Sequence, residues 1–361
     1  MKNFYGLVMA GGKGTRFWPE STIKRPKQYL KLLGPKTLLE EALLRFGDLI
    51  PKDRRYIVSI LDQKDLAIAA SLDCANSLGP IYEPEGRNTG PCILLSVATL
   101  EAQGLKETDV LAIVPSDHII LNGEGLRNTL IEAYKVASEK KGIVTIGIPP
   151  HFPNTGYGYI KKGAAIVGNS IFKVDQFREK PSYESAQEFV KSGEYFWNAG
   201  MFVAELGAIK NNFKQFAPEM FEFYAEILQK LKNKKSVSEI YSKLPRNSID
   251  YAVMEKAQNV YVAKADFDWN DLGSWDAMEN VLEKKEGNTF VTSNLSFVKK
   301  SKGNIIFAPG KFVSLIGVDN LIIVVNDKSI MVVEKAQAQE VKKIVEYLEK
   351  HPDENLKSEL L

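Results

Sequence analysis

Over residues 1–150, short apolar runs alternate with longer stretches in which apolar residues recur every three or four positions. The runs predict buried strands, and the longer stretches predict helices. The predicted strands are Phe4–Met9, Tyr56–Ile60, Val110–Val114 and Ile143–Ile148, and the predicted helices are Thr37–Phe46, Thr89–Gln103 and Leu126–Lys140. Thr37 and Glu40 have the spacing of a capping box. This alternation predicts an α/β fold with a Rossmann-like, mainly parallel sheet.

The pattern is mixed between about 150 and 280 and becomes β-rich after that. Tyr157–Ile160, Ile171–Phe177 and Phe196–Val203 suit antiparallel strands beside the main sheet, and Phe213–Lys232 suits a helix. After the polar linker 283–288, four β-branched runs follow one another every eight or nine residues, which suits a small sandwich or a β-solenoid. They are Ile305–Phe307, Val313–Ile316, Leu321–Val325 and Ile330–Val333. Ala336–Lys350 predicts a terminal amphipathic helix. We expect a catalytic domain over 1–284 and a small C-terminal β domain over 285–361.

Composition narrows the class of protein. The chain has 361 residues, of which 44% are hydrophobic and 25% charged, as in ordinary globular proteins. Its formal net charge of +2 argues against a dedicated nucleic-acid binder. Two cysteines and three histidines show no zinc-site spacing. Because no leader peptide pattern and no membrane-length apolar run are visible, we expect a cytoplasmic protein without a membrane partner.

A glycine-rich turn, AGGKGTR at 10–16, directly follows the first predicted strand. Glycines allow backbone N–H groups to approach a phosphate closely. Neither a Walker A loop nor a dinucleotide fingerprint fits the spacing. Seven basic residues and one acidic residue lie between 13 and 36, a local excess that could attract a polyanionic substrate. A solvated loop is the plain alternative, and the neighbouring glycines make it less favoured.

The stretch GGKGTRFWPES followed by RPKQ resembles the signature of sugar-phosphate nucleotidyltransferases. The variant with Trp18, Pro19 and Ser21 is most similar to the guanylyltransferases that act on mannose 1-phosphate. Further motifs agree in chain order over residues 4–278, and more loosely to about 345. They are EPEGRNTGP at 83–91, PSDH at 115–118, TGYGYI at 155–160, FREKP at 177–181, WNAGMF at 197–202, SIDYAVMEK at 248–256 and DWNDLGSW at 268–275. Gly90 stands where alanine is commoner in that family.

This resemblance implies GMP transfer from GTP to α-D-mannose 1-phosphate, with GDP-mannose and pyrophosphate as products. Two anions must meet in such a reaction, so catalysis is mostly positioning and charge neutralisation. Arg16 and Lys27 suit the triphosphate, and Lys180 suits the incoming phosphate. The resemblance assigns the nucleotide to Gly11, Gly12, Gly14, Thr15, Asn88 and Thr89.

The same resemblance implies a magnesium ion and a sugar subsite. Asp117 and Asp271 are the candidate metal ligands, since Mg²⁺ prefers carboxylates together with phosphate oxygens. His118 is expected to be structural, because magnesium seldom takes imidazole. Sugar recognition is assigned to Gly156, Tyr157, Glu179 and Asn198. Trp197 and Trp269 are expected to be core aromatics.

Several alternatives stay open at this stage. The same chemistry could use another nucleotide and sugar phosphate, such as UTP or glucose 1-phosphate. A glycosyltransferase could use Asp266 and Asp268 as a metal-binding DxD, and a catalytically silent nucleotide-sugar sensor would bind without turnover. About 75 residues after 285 are too few for an added isomerase domain, so we expect one activity. The C-terminal β domain could cover the catalytic domain or mediate a homodimer.

Overall fold

The computed structural model describes residues 1–12, 14–291 and 296–361. Lys13, part of the basic stretch 13–36, lies outside the described residues. The chain divides into two compact units. Unit 1 comprises residues 1–11, 42–115 and 120–269, and unit 2 comprises 12–41, 116–119 and 270–361. The predicted domain boundary near 285 stays a prediction.

In unit 1, the described strands form one mixed sheet. They are β1 (Phe4–Ala10), β2 (Arg55–Ile60), β3 (Ile81–Glu83), β4 (Val110–Pro115), β5 (Ile143–Ile148), β6 (Tyr159–Val167), β7 (Ile171–Arg178), β8 (Tyr195–Glu205) and β9 (Val260–Lys264). Their order is β3-β2-β1-β4-β8-β5-β9-β7-β6. Strands β3, β2, β1 and β4 run parallel, so their carboxyl ends share one edge, which is where open α/β sheets bind ligands.

The predicted α/β fold is confirmed, with one difference in the sheet. Strand β8 lies between β4 and β5 and is antiparallel to both, whereas the sequence suggested an insertion beside the sheet. The physical reason is burial: most of β8 is buried, from Phe196 through Glu205 apart from two half-buried positions. A strand this apolar is stable inside the sheet rather than at its edge.

The helices complete the α/β arrangement. They are α1 (Leu38–Leu44), α2 (Lys64–Ser71), α3 (Thr89–Ala102), α4 (Gly123–Lys140), α5 (Tyr183–Ser192), α6 (Leu206–Phe216), α7 (Pro218–Phe221), α8 (Tyr224–Lys232) and α9 (Ser238–Tyr241), followed by a π-helical turn at Asp250–Met254. The core of unit 1 includes the buried face of α3 and the strands beneath it. No helix among the described residues is long and apolar enough to cross a membrane.

Local signals placed one helix boundary well and missed another. The capping box is present: Thr37 N donates to Glu40 Oε2 at 2.7 Å, and Glu40 N donates to Thr37 Oγ1 at 3.2 Å. The helix predicted over 213–232 is wrong as one piece. Ala217 leaves the helical region at φ −135°, ψ 54° and Pro218 starts a new helix, because a residue before proline is disfavoured in the α conformation.

In unit 2, the C-terminal strands wind into parallel coils. They are β10 (Lys284–Lys285), β11 (Asn288–Phe290), β12 (Ser296–Lys299), β13 (Ile305–Phe307), β14 (Val313–Ile316), β15 (Leu321–Val325) and β16 (Ile330–Glu334). Strands β11, β13 and β15 pair in parallel, as do β12 and β14. Paired positions are sixteen or seventeen residues apart. Each coil of the chain therefore contributes one strand to each of two sheets. The solenoid alternative is therefore the observed one.

A ladder of buried asparagines joins successive coils. Asn304 N and Nδ2 both donate to Asn288 Oδ1, at 3.0 and 2.8 Å, and Asn304 Oδ1 accepts from Leu321 N at 2.9 Å. Both asparagine side chains are fully buried. The side-chain amides therefore accept hydrogen bonds from backbone N–H groups that would otherwise be buried without a backbone partner.

The terminal region is less regular than the sequence indicated. A 3₁₀ segment, Lys335–Val341, precedes α10 (Lys342–Glu349), and a further helix, α11 (Glu354–Leu360), follows. Apolar residues of these segments pack with Phe17, Trp18 and Trp275 in the core of unit 2.

Candidate active site

In unit 2, the glycine-rich turn adopts a conformation that favours glycine. Gly14 has φ +63°, and a Cβ at this position would collide with Lys27 Cβ. Gly12 is exposed, and a Cβ there would meet nothing within 4 Å. Thr15 and Arg16 lie in the 3₁₀ turn Thr15–Phe17, with Arg16 exposed. The turn thus packs closely on Lys27 while leaving the Arg16 guanidinium accessible to an anion.

Lys27 lies at the centre of the charged residues of unit 2. Its ammonium donates to Asp117 Oδ2 at 2.9 Å and to the backbone oxygen of Asp271 at 2.9 Å. The side chain is only 6% exposed, whereas that of Asp117 is 37% exposed. The structure therefore brings together three predicted residues that are far apart in sequence.

A short antiparallel bridge aligns the two aspartates. Ile119 N donates to Asn270 O at 2.8 Å, and Asn270 N donates to Ile119 O at 3.0 Å. Leu272, the residue after Asp271, has φ +49°, a conformation that is costly for a leucine and concentrates at functional sites. The bridge places Asp117 and Asp271 on adjoining turns, both in contact with the Lys27 ammonium.

The electrostatics of Asp117 favour its ionised form. Burial opposes ionisation, but the Lys27 ammonium and His118 outweigh it, so the pKa of Asp117 lies below its ordinary value. His118 Nε2 is 4.0 Å from Asp117 Oδ1 and is 12% exposed, which fits the structural role expected for it. A carboxylate whose ionised form is favoured suits cation binding.

These residues fit a hard divalent cation. The described residues contain no cluster of three or more His, Cys, Asp or Glu side chains that could hold a metal by themselves. Magnesium does not require one, because it is commonly held by one or two carboxylates plus substrate phosphates and waters. Asp117 and Asp271 supply that donor type.

In unit 1, three neighbouring strands align the predicted sugar residues. Tyr159 on β6 pairs with Arg178 on one side and with Trp197 on the other. The next residues in line are Glu179, Gly158 and Asn198. Asn198 N donates to Gly158 O at 2.8 Å, and a Cβ at Gly158 would collide with Glu179 Oε2. The missing side chain lets the Glu179 carboxyl lie over the backbone of β6.

The Glu179 carboxyl is largely buried, and one of its oxygens is able to accept a further hydrogen bond. Its side chain is 11% exposed and its Oε1 lies 3.4 Å from Lys180 Nζ, whereas Oε2 is buried without a hydrogen-bond partner among the described residues. Burial, followed by the charge of Asp250, raises the pKa of Glu179 to about 7, although Lys180 opposes the rise. A buried acceptor without a partner suits a ligand hydroxyl.

Lys180 itself has an unusual backbone. It has φ +48° and immediately precedes Pro181, a position where the extended region is strongly preferred. Its side chain is 56% exposed. This strained conformation positions the lysine beside Glu179 while keeping its ammonium accessible.

The other predicted sugar residues lie near an aromatic cluster. Gly156 is exposed, with its N–H donating to Asn154 Oδ1 at 2.8 Å. The ring of Tyr157 lies 5.1 Å from Trp197 and 5.4 Å from Trp269. Trp197 is fully buried and its Nε1 has no partner among the described residues. Both tryptophans pack against the Tyr157 ring, but only Trp197 is the core aromatic that was expected, because Trp269 is half-buried.

The loop at 83–91 ends in the N-terminus of α3. Asn88 has φ +74° and its Oδ1 accepts from Thr89 N, while Thr89 Oγ1 accepts from Ile249 N at 3.0 Å. Gly90 N donates to Asn247 O at 3.1 Å, and a Cβ at Gly90 would lie 2.7 Å from that oxygen. This close approach accounts for glycine in place of the alanine commoner in related motifs.

Sequence reasoning missed Glu83 at the start of this loop. Its side chain is buried and accepts a short hydrogen bond from the hydroxyl of Tyr241. A Cβ at Gly11 would lie 3.3 Å from Glu83 Oε2. Burial raises the pKa of Glu83, although hydrogen bonds from Tyr241 and Cys92 oppose the rise. The available signal was its position as the first residue of the EPEGRNTGP motif, because the short strand that it ends, β3, was not predicted.

Asp250 is a second omission. Its Oδ1 accepts from Asn198 Nδ2 at 2.9 Å, and burial raises its pKa above the ordinary value. It lies inside the SIDYAVMEK motif, but no local pattern connects it to Asn198, which is on another element.

The glycosyltransferase alternative is not favoured by the geometry. Both oxygens of Asp268 accept backbone hydrogen bonds, from Leu121 N at 2.7 Å and from Asn122 N at 2.6 Å. The Asp268 carboxylate therefore stabilises the loop before α4, and both of its oxygens are engaged by backbone N–H groups rather than directed toward a metal ion.

Comparisons with known proteins agree with the fold. The family described as nucleotidyl transferase matches residues 5–287, and the MannoseP isomerase/GMP-like beta-helix domain matches 298–348. A mannose-1-phosphate guanylyltransferase of Escherichia coli is 35% identical over 353 residues, covering 96% of this chain and 74% of that protein.

Two solved structures extend the comparison. A protein from Thermus thermophilus, described as a mannose-1-phosphate geranyltransferase, is 34% identical with a TM-score of 0.86 and covers 96% of this chain and 99% of its own. A protein from Helicobacter pylori, described as a mannose-6-phosphate isomerase, is 26% identical with a TM-score of 0.60 over 74% of this chain and 99% of its own.

The mixed α/β sheet of unit 1 and the parallel β-helix of unit 2 together match the domains of a nucleotidyltransferase. The chain belongs to the nucleotidyl transferase family, as a member of its mannose-1-phosphate guanylyltransferases.

Proposed function

We propose that this enzyme transfers GMP from GTP to α-D-mannose 1-phosphate and releases GDP-mannose and pyrophosphate. The observation that carries the proposal is similarity to mannose-1-phosphate guanylyltransferases along 96% of the chain. A phosphate oxygen of the sugar phosphate attacks the α-phosphorus in line. The bond from that phosphorus to the bridging oxygen breaks, and pyrophosphate leaves with the electron pair.

Cationic side chains carry the phosphate chemistry in this proposal. Lys27 and the exposed Arg16 neutralise the triphosphate and the departing pyrophosphate, and the accessible ammonium of Lys180 meets the phosphate of the sugar. Charge stabilisation of this kind supplies a large part of catalysis in phosphoryl transfer. Lys180→Ala should lower kcat/KM for mannose 1-phosphate by about 10²-fold, the scale of losing one such group, and weaken GTP binding less.

The remaining residues recognise substrates. The nucleotide phosphates bind to backbone groups of the glycine-rich turn, at Gly11, Gly12, Gly14 and Thr15. The nucleotide base binds at the start of α3, to Asn88 and Thr89. In unit 1, Glu179 and Asn198 take sugar hydroxyls, with Gly156 and Tyr157 beside them. This assignment is supported by Glu179 Oε2, a carboxyl oxygen that accepts no hydrogen bond within the described part of the chain.

A divalent cation, Mg²⁺ in this proposal, would be held by Asp117 and Asp271. It would neutralise phosphate charge that the lysines alone leave uncompensated. The two residues themselves hold the Lys27 ammonium through a carboxylate and a backbone oxygen. Asp117 therefore also orients Lys27.

Substituting both aspartates tests the shared cation. Asp117→Asn and Asp271→Asn should each lower kcat by about 10²-fold or more, since groups at the reacting centre have effects of that size. The double variant should lose much less than the product of the two losses, because coupled residues are not additive. Magnesium titrations of kcat should shift in each single variant. Full additivity with unchanged magnesium dependence would make Asp271 a structural residue.

The nucleotide and sugar are tested by pyrophosphate release with pure protein. GTP with mannose 1-phosphate should give the highest kcat/KM, and UTP and glucose 1-phosphate much lower values. A site that hydrogen-bonds a base can reject an analogue lacking those groups by about 10⁴-fold. Comparable kcat/KM for GTP and UTP would overturn the guanylyl assignment, and binding without turnover would favour the sensor. Conversion of mannose 6-phosphate, assayed alongside because one structural neighbour is named for it, should be absent.

A further inference from the structure

We propose that Asp250 is a positioning residue of the sugar subsite, because it fixes the amide of Asn198 and sets the charge next to Glu179. This inference rests on the proposed function and adds a residue that its assignment of the sugar site lacks. Asp250 acts through its neighbours: it holds the nitrogen end of the Asn198 amide, whose oxygen end accepts from Gly200 N, and it keeps a second carboxyl close to Glu179.

The amide of Asn198 has one allowed orientation. Gly200 N, a donor only, points to one end of the amide at 3.1 Å, so that end must be Oδ1. Thr145 Oγ1 lies 3.1 Å from the same oxygen. The other end, Nδ2, then faces Asp250 Oδ1 at 2.9 Å. The Asn198 amide is thus held between a donor and a carboxylate.

One N–H of Asn198 stays available for a ligand. An amide nitrogen has two hydrogens, and Asp250 takes one. If Asp250 lost its acceptor, only the oxygen end of the Asn198 amide would stay held, by Gly200 N and Thr145 Oγ1, and the second N–H would have a less fixed direction. A fixed direction matters for affinity, because a group that is already oriented loses less conformational freedom when the sugar binds.

The position of Asp250 suits this role. It begins the π-helical turn Asp250–Met254, and such turns often occur at functional sites. Burial is the main influence on its ionisation, while hydrogen bonds from Asn198 and Ser248 favour the charged form. The hydrogen-bond donors around the carboxylate keep it available as an acceptor for Asn198.

Asp250 also influences Glu179 through charge. The charged groups facing Glu179 are Asp250, Lys180 and Glu255, whose Oε1 accepts from Glu179 N at 3.0 Å. Asp250 and Glu255 disfavour a negative charge on Glu179, and Lys180 favours it. Of the two carboxylates, Asp250 has the larger effect.

Steady-state kinetics of two Asp250 variants test the positioning role. Asp250→Ala removes the acceptor and should raise KM for mannose 1-phosphate by about 10- to 100-fold, the scale of losing a hydrogen bond to a charged group. We expect kcat and KM for GTP to change by less than about threefold, since a direction-setting residue of the sugar subsite affects sugar binding. Asp250→Asn keeps an acceptor oxygen and should restore most of the affinity.

A matched control separates this effect from loss of charge. Asp175→Ala removes an exposed carboxylate on β7, whose partner is Lys161 at 3.1 Å, and should leave both KM values unchanged. Thermal unfolding of each variant checks that the fold is intact.

The pH dependence of Asp250→Asn provides an independent arm if Asp250→Ala does not fold. Ionised Glu179 accepts the sugar hydroxyl, so kcat/KM for mannose 1-phosphate should fall on acidification with a midpoint near 7. The phosphate of the substrate also titrates, near pH 6, in every variant. The part of the pH dependence that is absent in Glu179→Gln is therefore the part due to Glu179. Asp250→Asn removes a neighbouring negative charge and should move this midpoint to lower pH.

The outcomes separate the two proposals. An active wild-type enzyme, together with an unchanged KM in folded Asp250→Ala or an unchanged midpoint in Asp250→Asn, would overturn the role of Asp250 alone. A wild-type protein that does not turn over GTP with mannose 1-phosphate would overturn the proposed function, and this inference with it.

Discussion

At the scale of single residues, Lys27 combines a structural and a chemical task. A buried ammonium is tolerated because Asp117 and the backbone of Asp271 satisfy it. The same arrangement keeps a positive charge where a triphosphate is proposed to bind. The cost of removing Lys27 should therefore appear in stability as well as in turnover.

Lys27→Met should destabilise the protein by about 1–3 kcal/mol. Breaking a buried pair costs more than this, but the Asp117 side chain is 37% exposed, so water screens part of the loss. Chemical denaturation measures the free energy of unfolding, and exposed Lys31→Met is the control for loss of a charge. The double variant Lys27→Met with Asp117→Asn should recover part of the stability. Strictly additive losses would contradict a direct interaction.

Glu179 should link stability to pH. Its pKa in the folded protein is about 7, above the ordinary value, so the folded state binds more protons than the unfolded state between about 4.5 and 7. The contribution of Glu179 is therefore fully favourable below the ordinary pKa and is lost as pH rises through 7. Glu179→Gln should stabilise the protein at pH 8 relative to wild type and change little at pH 4. An effect of equal size at both pH values, measured by chemical denaturation, would show that Glu179 does not titrate as described.

At the scale of elements, turns and loops determine where the chemistry lies. The parallel strands β3, β2, β1 and β4 end at one edge of the unit 1 sheet, and in both units residues with strained backbones lie in the turns and loops between elements. Asn88, Lys180 and Leu272 all have positive φ and all lie at or beside predicted site residues. Such conformations persist only when the surrounding structure enforces them.

The glycine-rich turn provides a matched pair of substitutions. Gly14→Ala forces alanine into φ +63° and against Lys27 Cβ, and should cost about 1–3 kcal/mol of unfolding free energy. Gly12→Ala adds a Cβ that meets nothing within 4 Å and should keep wild-type stability. Equal stability of the two variants in thermal unfolding would argue against the described turn.

The β-helix was one of the two arrangements that suited the short strands after residue 304, and a repeated asparagine distinguishes it from a sandwich. Asn288, Asn304 and Asn320 recur every sixteen residues, and two of them form the buried ladder between coils. A search for six-residue repeats does not find this period. The sixteen-residue spacing of the asparagines was the available sequence signal for the coils. Only the parallel pairing of the strands shows that these asparagines connect successive coils.

At the scale of the whole molecule, each of the two units has its own apolar core. The core of unit 2 includes segments from both ends of the sequence. Trp18 Nε1 donates to Leu360 O at 3.1 Å, Ile23 N donates to Leu361 O at 2.5 Å, and Leu361 is buried. The stability of the segment before Lys27 should therefore depend on α11.

Deleting residues 353–361 should lower the midpoint of thermal unfolding by about 4–5 °C. The deletion removes a buried leucine and the backbone acceptors of Trp18 Nε1 and Ile23 N, together about 3–4 kcal/mol. For a chain of 361 residues, an unfolding entropy of about 2.1 cal/mol/K per residue makes one kcal/mol correspond to about 1.3 °C. Glu359→Ala, an exposed substitution on the same helix, should have almost no effect. An unchanged midpoint in the deletion variant would show that α11 does not stabilise unit 2.

Most of the fold class was determined by the sequence itself, because the periodicity of buried positions is a local property. The α/β fold, the capping box at Thr37 and the short strands after residue 304 needed no tertiary information. Membership of the family was also determined locally, since its motifs are contiguous and occur in a fixed order.

Only the tertiary structure determined which motif residues meet. Lys27 with Asp117 and Asp271, and Asp250 with Asn198, are pairs separated by tens to hundreds of positions. No periodicity encodes such contacts, because they depend on how loops after different strands approach one another. The position of β8 inside the sheet was also determined only by the tertiary structure, because it depends on the burial of nearly the whole strand. Local sequence specified the elements and the chemical groups, and packing of distant segments decided their partners, their ionisation and thereby the geometry of the site.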